Sequence, residues 1–73
     1  MSRDVVAGRW KQVRGQAKEW WGKLTDDDLE RVEGHFERLV GVLQERYGWA
    51  RKRAEEEVTR RFDASRMEDA GGR

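Results

Sequence analysis

Three consecutive aspartates, Asp26, Asp27 and Asp28, are the densest group of possible metal ligands or acid–base groups in the sequence. Carboxylates can bind Ca²⁺ and can act as general acids and bases. An ordinary Ca²⁺ loop, however, spaces its oxygen ligands along the chain and adds a distal Glu, a pattern that this sequence lacks. Consecutive side chains on a helix also point about 100° apart, so the three carboxylates do not converge on one ion.

The same stretch has the pattern of a helix start. Thr25 precedes the aspartates and Asp28 follows it by three residues, which is close to a capping box, although Glu or Gln is usual at the third position. The threonine hydroxyl can accept a hydrogen bond from an early backbone N–H, and acidic residues are favourable at the positive end of the helix dipole. We therefore predict a helix start at Thr25 rather than a metal or catalytic site.

The remaining residues form no other catalytic pattern. His35 is the only histidine, and no carboxylate lies three or four positions from it, so we expect a surface or hinge histidine. The sequence has no cysteine, no glycine-rich phosphate-binding motif, and no base close in sequence to Ser2 or Ser65. We expect no cofactor, no metal and no enzymatic activity.

The elements that carry these residues are helical. The sequence has no proline, and its apolar residues recur at three- and four-residue spacings instead of alternating. One apolar stripe runs from Val6 to Leu24 and a second from Leu29 to Tyr47, and the second stays in phase across Gly34. Periodicity alone therefore leaves Gly34 either as a kink in one long helix or as a joint between two helices.

Glycines form a second pattern. They recur at seven-residue spacing in two runs, on the face opposite the apolar stripe: Gly8, Gly15 and Gly22, then Gly34, Gly41 and Gly48. Gly48 follows the second stripe and has the position of a helix C-cap. The others are either tolerated surface residues or a means of keeping the helices marginally stable.

The charged residues divide unevenly along a chain that is 42% charged with a net charge of +1. Residues 1–24 carry six Lys/Arg and two acids, residues 25–48 carry three and seven, and residues 49–73 carry seven and six. The first two segments either pack on each other, or the basic segment meets an outside polyanion. The candidate polyanion-binding residues are Lys11, Arg14 and Lys18 of the first helix and Arg51, Arg60 and Arg61 of the last.

The tryptophans also allow more than one interpretation. Trp10, Trp20 and Trp21 lie on the first apolar stripe, where we expect them to build the core of a small domain. A tryptophan-rich helix flanked by basic residues is also typical of membrane-surface binding or of docking onto a partner protein. No apolar run is long enough to span a membrane and no secretory signal is visible, so we expect a cytoplasmic location.

Several motifs resemble those of a known family. They are GRWKQVRG at residues 8–15, KEWWGKLTDD at 18–27, LVG at 39–41, QERYG at 44–48 and the acidic stretch around residues 54–58. With these motifs the chain resembles the CsbD-like proteins, a family of small bacterial stress-response proteins. The resemblance implies a compact all-helical bundle of two orthogonally packed hairpins, similar to SAM-type domains, and it favours a joint at Gly34. No activity, cofactor or catalytic residue follows from it.

This chain departs from the family pattern in having Trp20 beside Trp21 and more arginines in its last part, which leaves an additional surface contact open. We predict four helices at about residues 4–22, 26–33, 35–47 and 50–63, in a domain of residues 1–64 followed by a loose tail of residues 65–73. The predicted core is Trp10, Val13, Ala17, Trp21, Leu24, Leu29, Val32, Phe36, Leu39, Val40, Leu43, Tyr47, Ala54, Val58 and Phe62.

The leading functional hypothesis is a non-enzymatic stress-response protein that binds or protects other macromolecules. The alternative is a nucleic-acid-binding module that uses the basic faces of the first and last helices, and membrane-surface association through the first helix is a third hypothesis. The sequence does not name the partner, for which nucleic acid or another protein are the candidates. We expect a monomer or a weak homo-oligomer.

Overall fold

The computed structural model describes the backbone of residues 3–71 and the side chains of residues 5–64. Residues 3–71 form four helices and no strand: α1 Arg3–Trp20, α2 Asp26–Val32, α3 Phe36–Tyr47 and α4 Arg51–Gly71. The predicted all-α, four-helix fold is confirmed. Contacts of α3 with each of the other helices, and of α1 with α2, make the four helices one small bundle, and the arrangement as two orthogonal hairpins stays a prediction.

Two helix ends differ from the prediction. Helix α1 ends at Trp20, two residues early, because the backbone turns at residues 21–23 and Leu24 donates to the carbonyl of Trp21 at 3.0 Å. Helix α4 continues to Gly71, well beyond the predicted end at 63, because no glycine or proline interrupts it before that point. The division into a domain and a tail at residue 65 stays a prediction, and residues 72 and 73 lie outside the described chain.

The core lies around α3, which contacts each of the other three helices. All predicted core residues are buried except Phe36 and Tyr47, which are only partly buried. The structure adds Val6 and Val42 to the core. Val42 lies outside a narrow helical stripe, but a helix packed against three neighbours buries a wider face than a helix packed against one.

Gly34 is a joint between two helices. Glu33 and Gly34 both have left-handed backbone conformations, with φ of 50° and 80°, so the chain reverses between α2 and α3. Gly34 is also buried against α1: an added Cβ would lie 3.1 Å from Cβ of Trp10 and 3.3 Å from Cα of Ala7. The prediction that Gly34 lies on the outer face was therefore wrong, because helical phase does not continue through a joint.

Helices α1 and α4 meet through Trp20 and Phe62. The Trp20 ring packs edge-on against Trp21, with centroids 5.5 Å apart, and against Phe62, with centroids 5.8 Å apart. Arg9 of α1 also donates from Nη1 to the carbonyl oxygen of Phe62 at 3.2 Å. Trp20, which the family pattern did not predict, therefore packs within the molecule and links α1 to α4.

Gly34, which is buried at the joint, and Gly41, which is exposed within α3, should respond oppositely to replacement by alanine. Gly34→Ala should lower the free energy of unfolding by about 1–2 kcal/mol, because a left-handed backbone disfavours a Cβ and Trp10 lies close. Gly41→Ala should raise it by about 0.5–1 kcal/mol, because Gly41 is exposed inside α3 with nothing within 4 Å of an added Cβ. Urea titrations of both variants would measure this, and a stabilising Gly34→Ala would contradict the close packing of the joint on α1.

Candidate functional site

Asp28 is buried although it is charged, with a side chain that is only 1% exposed. It occupies the third position of α2 and completes a capping box with Thr25. The Thr25 backbone N–H donates to Asp28 Oδ2 at 3.0 Å, and the Asp28 N–H donates to Thr25 Oγ1 at 3.1 Å. The predicted helix start is confirmed, but the sequence analysis did not anticipate that the third aspartate would be buried.

Two arginines satisfy the remaining acceptor positions of this carboxylate. Arg46 of α3 binds it with two parallel hydrogen bonds, from Nε to Oδ2 at 2.8 Å and from Nη2 to Oδ1 at 2.9 Å. Arg31 donates from Nη2 to Oδ1 at 2.5 Å and also lies 3.6 Å from a carboxylate oxygen of Glu45. Asp28 therefore ties the start of α2 to the last turn of α3.

The pKa of Asp28 is held well below its usual range. The hydrogen bonds from Arg46 are the main cause, with further contributions from the Thr25 N–H and from Arg31. Burial acts in the opposite direction, because it disfavours a charged carboxylate, but these donors outweigh it. Asp28 is thus ionised and fully engaged within the fold, so it offers neither a general base nor a free metal ligand.

The other residues considered for metal binding do not converge. Among the described residues, no group of three or more His, Cys, Asp or Glu side chains could hold a metal ion. His35 lies exposed at the N-cap of α3, where its backbone N–H donates to the carbonyl of Val32 at 2.8 Å. Its position at the joint between α2 and α3 is the surface or hinge position that the sequence analysis expected.

The candidate polyanion-binding residues of α1 lie at the surface. Lys11, Arg14 and Lys18 are all exposed. Lys18 Nζ forms an ion pair with Asp26 Oδ1 at 2.8 Å, and this contact, with a smaller contribution from Arg14, lowers the pKa of Asp26. One of the three cations is therefore directed towards a carboxylate of the same chain, as expected if the basic and acidic segments pack on each other.

The candidates of α4 are mostly engaged as well. Arg51 forms ion pairs with Glu37 of α3 and with Glu55, the latter at 2.9 Å, and Arg60 pairs with Glu57. The Arg61 side chain is partly buried, and its Nε has no hydrogen-bond partner in the described part of the chain. The six candidates thus divide between two helices, and their role in polyanion binding stays a prediction.

A cluster of aromatic and basic residues lies at the turn between α3 and α4. It was not predicted from the sequence. Tyr47 and Trp49 stack with ring centroids 4.4 Å apart and planes inclined by 16°. Lys23 Nζ lies 5.1 Å from the centroid of the Tyr47 ring, and Arg53 Cζ lies 4.7 Å from that of Trp49. Gly48 between the rings is the left-handed C-cap of α3, with φ of 70°, as its position predicted. A Tyr-Gly-Trp sequence at a helix end was the available signal for this cluster.

A surface groove of about 740 Å³ lies between α2 and α3. Its lining residues are Glu30, Arg31, Glu33, Arg38, Gly41, Val42 and Glu45. Arg38 pairs with Glu33 at 2.7 Å, and both side chains are more than half exposed. The groove is therefore open to solvent, and its arginines already have carboxylate partners.

The fold and this surface define a small all-α protein with an ion-paired exterior. None of the helices in the described chain is long and apolar enough to cross a membrane. Residues 4–56 match the CsbD-like family. Residues that carried the resemblance in the sequence, including Arg46 in its QERYG motif, lie within this match.

Several curated proteins are similar over most of the chain. The UPF0337 protein PA4738 of Pseudomonas aeruginosa is 62% identical over 58 residues, which cover 80% of this chain and 89% of that protein. A UPF0337 protein of Bordetella pertussis is 56% identical over 63 residues, covering 86% and 96% of the two chains. The UPF0337 protein YjbJ of Escherichia coli K12 is 53% identical over 58 residues, covering 80% and 84%.

The chain therefore belongs to the CsbD-like family. This is a family of general stress-response proteins. The names of the three relatives specify no activity.

The neighbouring aspartates Asp27 and Asp28 provide a matched pair of substitutions. Asp28→Ala should lower the free energy of unfolding by about 1–3 kcal/mol, because it removes the capping box and the hydrogen bonds from Arg46, whose side chain is 39% exposed and can still be solvated. Asp27→Ala removes an exposed carboxylate from the same helical turn and should cost much less. Urea denaturation followed by circular dichroism would compare them, and equal losses would mean that the buried ion pair contributes little.

The buried carboxylate also predicts the pH dependence of stability. The pKa of Asp28 is lower in the folded chain than in the unfolded chain, where it is about 4. Its contribution is therefore present above that value and is lost as the pH falls towards the folded pKa. The free energy of unfolding should be nearly level from about pH 7 to pH 5.5 and should fall below about pH 5, and Asp28→Asn should flatten this fall. An equally steep fall in the variant would assign the acid sensitivity to other carboxylates.

Proposed function

We propose that this protein is a non-enzymatic stress-response protein of the cytoplasm that acts by binding or protecting other macromolecules. The observation that carries the proposal is the nature of its surface. The chain has 16 basic and 15 acidic residues, and ion pairs between exposed side chains recur on α1, α3 and α4. A dense layer of charges of both signs keeps a protein hydrated and soluble and suits it to weak contacts with many partners.

The chemistry of the described residues supports the non-enzymatic part of this proposal. Asp28, whose pKa is lowered well below its usual range, is bound by two arginines and by the backbone N–H of Thr25. The single histidine is exposed at a helix start, and no carboxylate lies three or four positions from it. Catalytic groups usually lie in a cleft beside partners that activate them, and neither residue has that setting.

The two other hypotheses have less support. For nucleic-acid binding through the basic faces of α1 and α4, three of the six candidate cations, Lys18, Arg51 and Arg60, are already paired with carboxylates. For membrane-surface binding through α1, its apolar stripe is buried in the core, with Val6, Val13 and Ala17 at most 1% exposed. Binding a membrane through that stripe would require the bundle to open.

A protection assay tests the leading proposal. A labile test enzyme dried with this protein should recover more activity than the same enzyme dried with an equal mass of serum albumin. Asp28→Ala, which weakens the fold, distinguishes protection by a folded surface from protection by a charged chain of any conformation. We expect the variant to protect less well than the wild type at equal concentration.

Recovery no better than with albumin would contradict the protective role. Turnover of any compound in a panel of common metabolites by the purified protein would contradict the non-enzymatic role. Gly41→Ala serves as the matched control, because it changes α3 without altering a charge and should protect as well as the wild type.

A further inference from the structure

We propose that Tyr47, Trp49, Lys23 and Arg53 form a binding surface for single-stranded nucleic acid. The proposal deepens the proposed function, on which it rests, by naming a class of partner. It places the contact at the aromatic cluster between α3 and α4 instead of at the six cations considered from the sequence. Two independent features of this surface support it: the stacked rings, and the cations that form no ion pair within the described part of the chain.

The two rings stack face to face, so each has one outer face on which a base could stack. Tyr47 and Trp49 are each partly buried, which fixes their orientation while leaving part of each ring at the surface. The left-handed Gly48 reverses the chain between them, and the Lys23 backbone N–H donates to the Tyr47 hydroxyl at 3.3 Å. Single-stranded nucleic acids bind by stacking their bases on aromatic side chains held in this way, with little dependence on sequence.

The two cations over the rings form no ion pair within the described residues. Lys23 and Arg53 are both exposed, whereas the neighbouring Arg51 pairs with two glutamates. The first turn of α4 contains three consecutive basic residues and no acidic one. Arg51 is already paired with two of the chain's carboxylates, so Arg53, which lies over the Trp49 ring, is the cation of this turn placed to bind an external polyanion beside the rings.

The contact between Arg53 and Trp49 indicates how a nucleotide would bind. The guanidinium lies 4.7 Å from the indole centroid at the end of a long, exposed side chain. A base that stacks on the indole can replace it, which frees Arg53 to bind the adjoining phosphate. Base stacking is the stronger of the two contacts at an exposed ring, so the exchange is favourable.

A lipid surface fits these observations less well. Binding at a membrane interface through an amphipathic helix needs a continuous apolar face, and the apolar stripe of α1 is buried within the bundle. At the aromatic cluster only two rings are available, and each has a cation over it. This pattern suits a chain of alternating bases and phosphates.

The test is fluorescence anisotropy with a labelled oligonucleotide of about 12 deoxythymidines, titrated with the full-length protein from about 20 to 150 mM NaCl. We expect binding that weakens with salt with a logarithmic slope of about −1.4, which is about 0.7 for each of two phosphate contacts. Trp49→Ala should weaken binding at least about fivefold, and Trp49→Phe, which keeps a stacking ring, should retain most of it.

Charge variants separate this site from general attraction. Arg53→Gln should weaken binding and reduce the salt slope by about 0.7. Arg38→Gln is the matched control, since it removes the same charge nine residues before Tyr47 on α3, where Arg38 pairs with Glu33. It should bind like the wild type. Circular dichroism of every variant would establish that it is folded, and Arg53→Gln tests the site even if Trp49→Ala unfolds.

Absence of binding at the lowest salt concentration, or equal binding by the wild type, Trp49→Ala and Arg53→Gln, would overturn the proposal. Equal weakening by Arg38→Gln would also overturn it, by showing attraction without a local site. Binding to vesicles of anionic phospholipid but not to the oligonucleotide would assign the surface to lipid instead. Failure of the drying assay alone would remove the protective role and leave this contact standing.

Discussion

The ion pair between Asp28 and Arg46 holds α2 against α3, the helix around which the core is built. A domain of this size without disulfides has little core to stabilise it. Burying a carboxylate in it is costly unless every acceptor position finds a donor. Asp28 meets that condition with donors from Thr25, Arg31 and Arg46, so a single side chain both begins α2 and fastens it to α3.

The short second helix explains why both of its ends need such specific contacts. Helix α2 has seven residues, too few to be stable alone. Its first turn is held by Asp28, and its last turn leads into the left-handed pair of Glu33 and Gly34 that lies against Trp10. One end of α2 is therefore fixed to α3 and the other end lies against α1, so α2 links these two helices.

The surface cations fall into two groups: those paired with carboxylates of the same chain, and those that lie over the aromatic rings. Exposed arginines such as Arg38, Arg51 and Arg60 have carboxylate partners in the same chain. Such pairs add little stability in water but leave little net field to attract a ligand. Among the described residues, no carboxylate pairs with Lys23 or Arg53 beside Tyr47 and Trp49, which is why the inference about a partner concerns this small region and not the groove between α2 and α3.

Local patterns in the sequence were enough to predict the helical class, the helix start at Thr25, the C-cap at Gly48 and nearly all of the core, because periodicity and capping depend on neighbouring residues. The burial of Asp28, beside the exposed Asp26 and Asp27, depends instead on the packing of the helices, since its partner Arg46 lies 18 positions away. The same holds for the joint at Gly34, which depends on the close approach of Trp10. Stacking of Tyr47 on Trp49 depends on the left-handed turn at Gly48. Lys23 and Arg53 come from other parts of the chain, so no local sequence pattern could predict that they lie over the two rings.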